Sequence, residues 1–181
     1  MAGKLTKVLH TGISVYNMEE SIEWYKKECL ALKAEGCLDT SMFLHIPLTV
    51  YRDAWEAAYK TGLVNEPKDI TVEESYTDKF WNDGYKDSFG VKHECICCCG
   101  IDDGVFVAIE ECGTTHNVVA GHDHINNFVI NYKGVNLIYG TKIGEGCYWR
   151  QFLNGGTVLT VTENGISDVH HEYVDVSHFF E

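Results

Sequence analysis

Hydrophobic and polar positions alternate at the start of the chain, take on helical spacing, and become strand-like again over the second half. Residues 5–16, LTKVLHTGISVY, carry Leu5, Val8, Leu9, Ile13 and Val15, with the alternation clearest from Thr11 onward, and this predicts a strand. Asn17 then offers a side-chain oxygen suited to capping a helix, and Glu20 three positions later completes a near capping box. Met18, Ile22, Tyr25 and Cys29 form one apolar face, Trp24 and Leu32 lie at its edges, and Gly36 is the expected stop. The run from Cys37 to Ile46 reads as a strand with Met42, Leu44 and Ile46 on one face, ended by Pro47. Residues 48–62 return to helical spacing through Val50, Ala54, Ala57 and Ala58. The polar excursion 65–90 contains Tyr76, Phe80, Trp81, Tyr85 and Phe89, and so many aromatics predict a segment folded against the body and placed to cover a site.

Beyond Gly90 the pattern predicts strands at 92–99, 104–111, 115–120, 125–132, 135–143, 147–153, 156–163 and 168–175, with turn signals at Tyr132-Lys133-Gly134, Asn154-Gly155-Gly156 and Glu163-Asn164-Gly165. The expected class is α+β: a strand-rich, curved antiparallel sheet or barrel with an N-terminal strand-helix unit. With 181 residues, one domain over 1–181 is expected, divisible at most into modules 1–112, with an insertion at 48–90, and 113–181.

Composition narrows the function. Apolar residues at 45% and aromatics at 12% fit a globular protein. A formal net charge of −13 opposes binding to nucleic acid or anionic membrane surfaces. The start, Met1-Ala-Gly-Lys-Leu-Thr-Lys7, has no apolar signal core, so a cytoplasmic location is expected. The eight cysteines lack the framework of a small secreted domain and read as thiols, four of them crowded into 95–99.

Candidate chemistry begins at His10, with Gly12 on the same strand face. Leu9-His10-Thr11, the turn residue Asn17, Glu19-Glu20-Ser21-Ile22, Trp24-Tyr25 and Leu30-Ala31 together resemble the first strand and helix of the vicinal oxygen chelate superfamily, which includes glyoxalases and extradiol dioxygenases. This resemblance covers 7–33, and a weaker one covers 104–131, from VFVAIEECG to GHDHINNFVI. It implies that His10, Glu110 and His124 bind a divalent metal (Zn, Ni, Mn or Fe). It also implies lyase, isomerase or dioxygenase chemistry on a small molecule offering two vicinal oxygens, and a homodimer, since the superfamily often pairs modules across subunits. Imidazole and carboxylate suit such ions, and open positions admit a bidentate substrate. Thr160 stands where the fourth, carboxylate ligand belongs. Either Glu163 takes that catalytic place through a shifted register, or three protein ligands suffice, or the site is degenerate.

Two further groupings stand apart from the resemblance. His122-Asp123-His124 is an H-x-H pair of the cupin type, without the remaining cupin elements, and His93, Cys95, Cys97 and Cys99 share a face of a predicted strand, with neighbouring buried thiols the favoured reading. From another functional class, the alternative is a non-catalytic small-molecule-binding protein: a metal-free vicinal-oxygen-chelate-like cavity, or a calycin-like β-barrel built by the eight C-terminal strands.

Overall fold

The computed structural model describes residues 17–37, 39–60 and 88–174. The first helix, α1 (Met18–Ala34), begins as its sequence predicts: the Asn17 side chain accepts a hydrogen bond from the Glu20 amide at 3.2 Å, and Glu19 and Glu20 occupy the first turn. It ends at Gly36, whose φ of 89° suits glycine, with Gly36 N–H donating to Lys33 O and Cys37 N–H to Leu32 O in the paired pattern of a Schellman cap.

Strand β1 (Thr40–Phe43) and helix α2 (Val50–Lys60) follow. The remaining described residues form α3 (Val105–Cys112), β2 (Thr115–Ala120), β3 (Val129–Tyr132), β4 (Val135–Tyr139), a 3₁₀ turn (Gln151–Leu153), β5 (Gly155–Thr162) and β6 (Gly165–Tyr173). β1 to β4 make one sheet in the order β1-β2-β4-β3, in which β1, β2 and β4 run parallel and β3 is antiparallel to β4. β5 and β6 form a separate antiparallel ribbon. The class is therefore α+β, as expected. The purely antiparallel meander and the closed barrel are not found among the described residues, and the calycin-like alternative loses its support with them.

The difference has local causes. The expected strand 104–111 is helix α3, because Phe106, Ile109 and Cys112 bury at helical spacing while Val107 remains exposed. Asp102 and Asp103 accept the amide hydrogens of Gly104 and Val105, which turns the chain into that helix. Residues 92–99 make only an isolated bridge, Lys92 with Asn126, and the expected strand 147–153 contains the 3₁₀ turn instead. The Tyr132–Val135 hairpin has Lys133 at φ 51° and Gly134 at φ 82°, both positive as a type I′ turn requires. That hairpin sends β4 back between β2 and β3, parallel to β2.

One core cluster joins Tyr51, Ala54, Trp55 and Ala58 of α2 and Phe106 and Ile109 of α3 to Val118, Ala120, Phe128, Ile130, Leu137 and Tyr139. At its centre the fully buried Tyr51 hydroxyl points at two strand carbonyls, Val118 O at 2.7 Å and Ile138 O at 3.2 Å. Burial raises the Tyr51 pKa, so the phenol stays protonated and donates. On the other side of the pleat, Asn131 donates to Asn136 at 2.8 Å and Asn136 to Asn117 at 3.0 Å, an amide ladder across β3, β4 and β2.

Tyr51→Phe keeps the ring and deletes only the donor, so urea unfolding is expected to show a loss of about 1 kcal/mol with an unchanged denaturant slope.

Candidate metal centre

The parallel strands deliver their following loops to one end of the sheet, where ligands bind in open sheets with parallel strands. Pairing continues past the formal strand ends: Leu44 N–H donates to Val119 O at 2.8 Å, Gly121 N–H to His45 O at 3.1 Å, and Gly140 N–H to Ala120 O at 2.7 Å. His45 therefore follows β1 and His122 follows β2 as neighbours, beside the end of β4. His45 Nε2 and His122 Nδ1 lie 3.3 Å apart, with the rings edge to face.

Two nitrogens on a tetrahedral ion with bonds of 2.0–2.1 Å are separated by about 3.3–3.4 Å, so the pair is spaced as two ligands of one Zn²⁺-like ion would be. One proton between the nitrogens satisfies the same distance. The donor set on the far side of His122 favours the ion: ligand atoms of Cys97, His122 and Asp123 all lie within 4.8 Å of one another, a group that His45 stands beside rather than within. His122 is also a non-glycine residue at φ 76°, and the Asp123 N–H donates to Gly121 O at 3.0 Å, closing a tight turn about it. Such a conformation costs about 1–3 kcal/mol and is retained where neighbours over-determine it.

Those neighbours are buried polar side chains. Asp123, only 4% exposed, accepts through Oδ2 from the Tyr139 hydroxyl at 2.5 Å and from the Cys97 amide at 3.0 Å. Burial first, and the bond to Asp123 second, raise the Tyr139 pKa, so the hydroxyl is held as a donor. The Asn126 side chain accepts from the His93 and Glu94 amides, and that of Asn127 accepts from the Val91 amide and donates to the Tyr173 hydroxyl. The segment 121–128 is thus stitched to 91–97 between its two histidines and after them.

His124 turns elsewhere. Its Nδ1 lies 2.8 Å from the Tyr148 carbonyl oxygen, which can only accept, so Nδ1 carries the proton and the Nε2 lone pair is left for another partner. The ring stacks on Tyr148, with centroids 4.4 Å apart, while the Tyr148 hydroxyl donates to Glu94 Oε2 at 3.0 Å and Glu94 Oε1 accepts the Ile125 amide.

Of the sequence candidates, His10 and most of the aromatic excursion 65–90 lie outside the described residues. Glu110 is on α3, paired with Lys133 of the hairpin turn at 3.2 Å. It precedes β2 whereas His124 follows it, and six strand residues separate the two by roughly 20 Å. The structure does not bring Glu110 and His124 together. Glu163 sits in the exposed turn between β5 and β6, and Thr160 is exposed on β5. His122 and His124 do not share a strand face, because the positive φ at His122 separates them.

His45 was not singled out by the sequence pattern, where it read as one more position on a strand ended by Pro47. Its signal is a histidine directly beyond β1 that matches a histidine directly beyond β2. A separate cavity of about 350 Å³ is lined by Phe89, Val169, His170, His171 and Tyr173, and shares no residue with this centre. Both ring nitrogens of His171 are engaged there, by Thr157 and by the Asn127 carbonyl.

No family model matches the chain, and no solved structure matches it. A segment of 59 residues is 38% identical to probable inactive purple acid phosphatase 14 of Arabidopsis thaliana, covering 33% of this chain and 15% of that protein. Over 59 residues the chain is 36% identical to probable inactive purple acid phosphatase 29 of the same plant, again covering 33% and 15%. The likeness thus spans about one seventh of each relative.

His93, beside this centre, has its Nε2 buried without a partner among the described residues. Burial, reinforced by the charge of Arg150, pushes its pKa down to about 4 from an ordinary 6.5. The unfolded chain then binds more protons than the folded one between those values, so stability is full above pH 6.5 and falls as pH drops toward 4. In urea titrations across that range, His93→Gln is expected to show a shallower acid loss than the parent chain.

Proposed function

We propose that this chain carries a divalent-metal site of the phosphatase type, in which the metal is held between His45 and His122 and binds the phosphoryl group of a phosphoester. The observation that carries the reading is the 3.3 Å approach of the two imidazole nitrogens at the carboxyl ends of adjacent parallel strands. Identity over 59 residues with two proteins named as probable inactive purple acid phosphatases supports binding of a phosphoester rather than its turnover. When bound, a divalent ion supplies Lewis acidity, drawing charge from a phosphoryl oxygen and lowering the pKa of water.

The chain's own residues do the rest. His45 and His122 present nitrogen donors, and the buried Asp123 holds the tight turn that aims His122. His124, fixed as the Nδ1–H tautomer by the Tyr148 carbonyl, presents Nε2 for a further metal contact or for a proton in transit to a leaving oxygen. With a net charge of −13 the protein repels a phosphoester at long range, so binding depends on the positive charge that the metal brings locally. The vicinal-oxygen reading draws on His10, Glu110 and His124. The phosphoester reading is favoured because its two first ligands stand side by side.

Calorimetric titration with Zn²⁺, Mn²⁺ and Fe²⁺ is expected to show one site that weakens at least tenfold in His45→Ala and in His122→Ala. Phosphate or p-nitrophenyl phosphate should bind only to the metal-loaded chain. Metal binding that survives both substitutions, or that depends instead on His10, would overturn the proposal.

A further inference from the structure

The four crowded cysteines differ in their surroundings. Cys98 is half-buried and its sulfur accepts a hydrogen bond from Arg52 Nη2 at 2.9 Å. Cys95, Cys97 and Cys99 are exposed, separated from one another by the buried Ile96 and by Cys98. Of these thiols only Cys97 belongs to a cluster of potential ligand atoms among the described residues, within 4.8 Å of those of His122 and Asp123. Its backbone is fixed by the same carboxylate, since the Cys97 amide donates to Asp123 Oδ2 at 3.0 Å.

We propose that Cys97 is a thiolate ligand of the metal bound at His122, which makes this a thiophilic centre suited to zinc or ferrous iron rather than magnesium or calcium. The inference rests on the metal site proposed above and adds to it a ligand and a choice of ion. Asp123 Oδ2 already accepts two hydrogen bonds, so the main part of that carboxylate is to position Cys97 and His122. With His45 drawn in beside His122 as the third ligand, two imidazoles and one thiolate leave a fourth tetrahedral position open, the pattern of a zinc site that admits a substrate oxygen. A hard, oxygen-preferring ion such as Mg²⁺ gains little from sulfur, whereas soft thiolate donors favour zinc and iron. Coordination replaces the S–H bond with a metal–sulfur bond, and the proton passes to solvent.

Cobalt(II) tests this directly, because thiolate ligation gives a near-ultraviolet sulfur-to-cobalt charge-transfer band that nitrogen and oxygen ligands do not. The metal alone is titrated into the full chain, the parent being compared with Cys97→Ser, Cys98→Ser and His45→Ala, with folding of each checked by circular dichroism. The expected result is a band in the parent and in Cys98→Ser, its loss in Cys97→Ser together with at least tenfold weaker zinc binding, and weakened cobalt binding in His45→Ala. Cobalt binding that depends on His45 without any such band, or a band that persists in Cys97→Ser, overturns the thiolate ligand while leaving the histidine site standing. Failure of the parent to bind cobalt or zinc overturns both. Parent affinity for Mg²⁺ equal to that for Zn²⁺ overturns the choice of ion.

Discussion

The buried carboxylate of Asp123 is the constraint on which the site depends. It accepts a short hydrogen bond from Tyr139 at the end of β4 and another from the backbone of Cys97, so one side chain ties together the end of the central strand, the loop after β2 and the segment before α3. A carboxylate this far from water is tolerated only when its acceptor capacity is met. Meeting it fixes where the chain passes on either side. His122 is the adjacent residue, and its left-handed backbone is affordable because Asp123 and the two buried asparagines beyond it hold the loop rigid.

The site also follows from topology. In an antiparallel meander, successive strands end at opposite edges of the sheet, and His45 and His122 would be separated by a strand length. Helices α2 and α3 between β1 and β2 return the chain to its starting edge, so the two strands run parallel and both histidines emerge at the same end. The apolar faces of those helices, with Tyr51 reaching across two strands, pack the crossover against the sheet.

Much of this was legible in local sequence, and the places where it was not have physical reasons. Asn17, Glu20 and Gly36 mark α1 because caps are short-range chemistry. Residues 115–120 read as a strand and are one. VFVAIEEC reads equally well at period two or at helical spacing, and the tie is broken by Asp102, Asp103 and the contacts of Phe106 and Ile109, which periodicity does not contain. Parallel pairing is likewise invisible locally, because β1 and β2 are distant in sequence. For the same reason His45 looked ordinary. The residue types needed for metal chemistry were apparent at 93–99 and 122–124, but which of them face each other depends on one backbone angle at His122.

The amide ladder of Asn117, Asn136 and Asn131 has a consequence beyond its hydrogen bonds. Sliding β4 by one residue against either neighbour would turn Asn136 toward the apolar side of the sheet and Leu137 away from it, breaking two amide contacts and burying a polar group at once. Misaligned pairings are therefore penalised on both faces together, which acts as a selection rule during assembly. Since Tyr139 at the end of β4 must meet Asp123 in the loop after β2, a row of asparagines at a distance from that loop determines whether its anchor is in place.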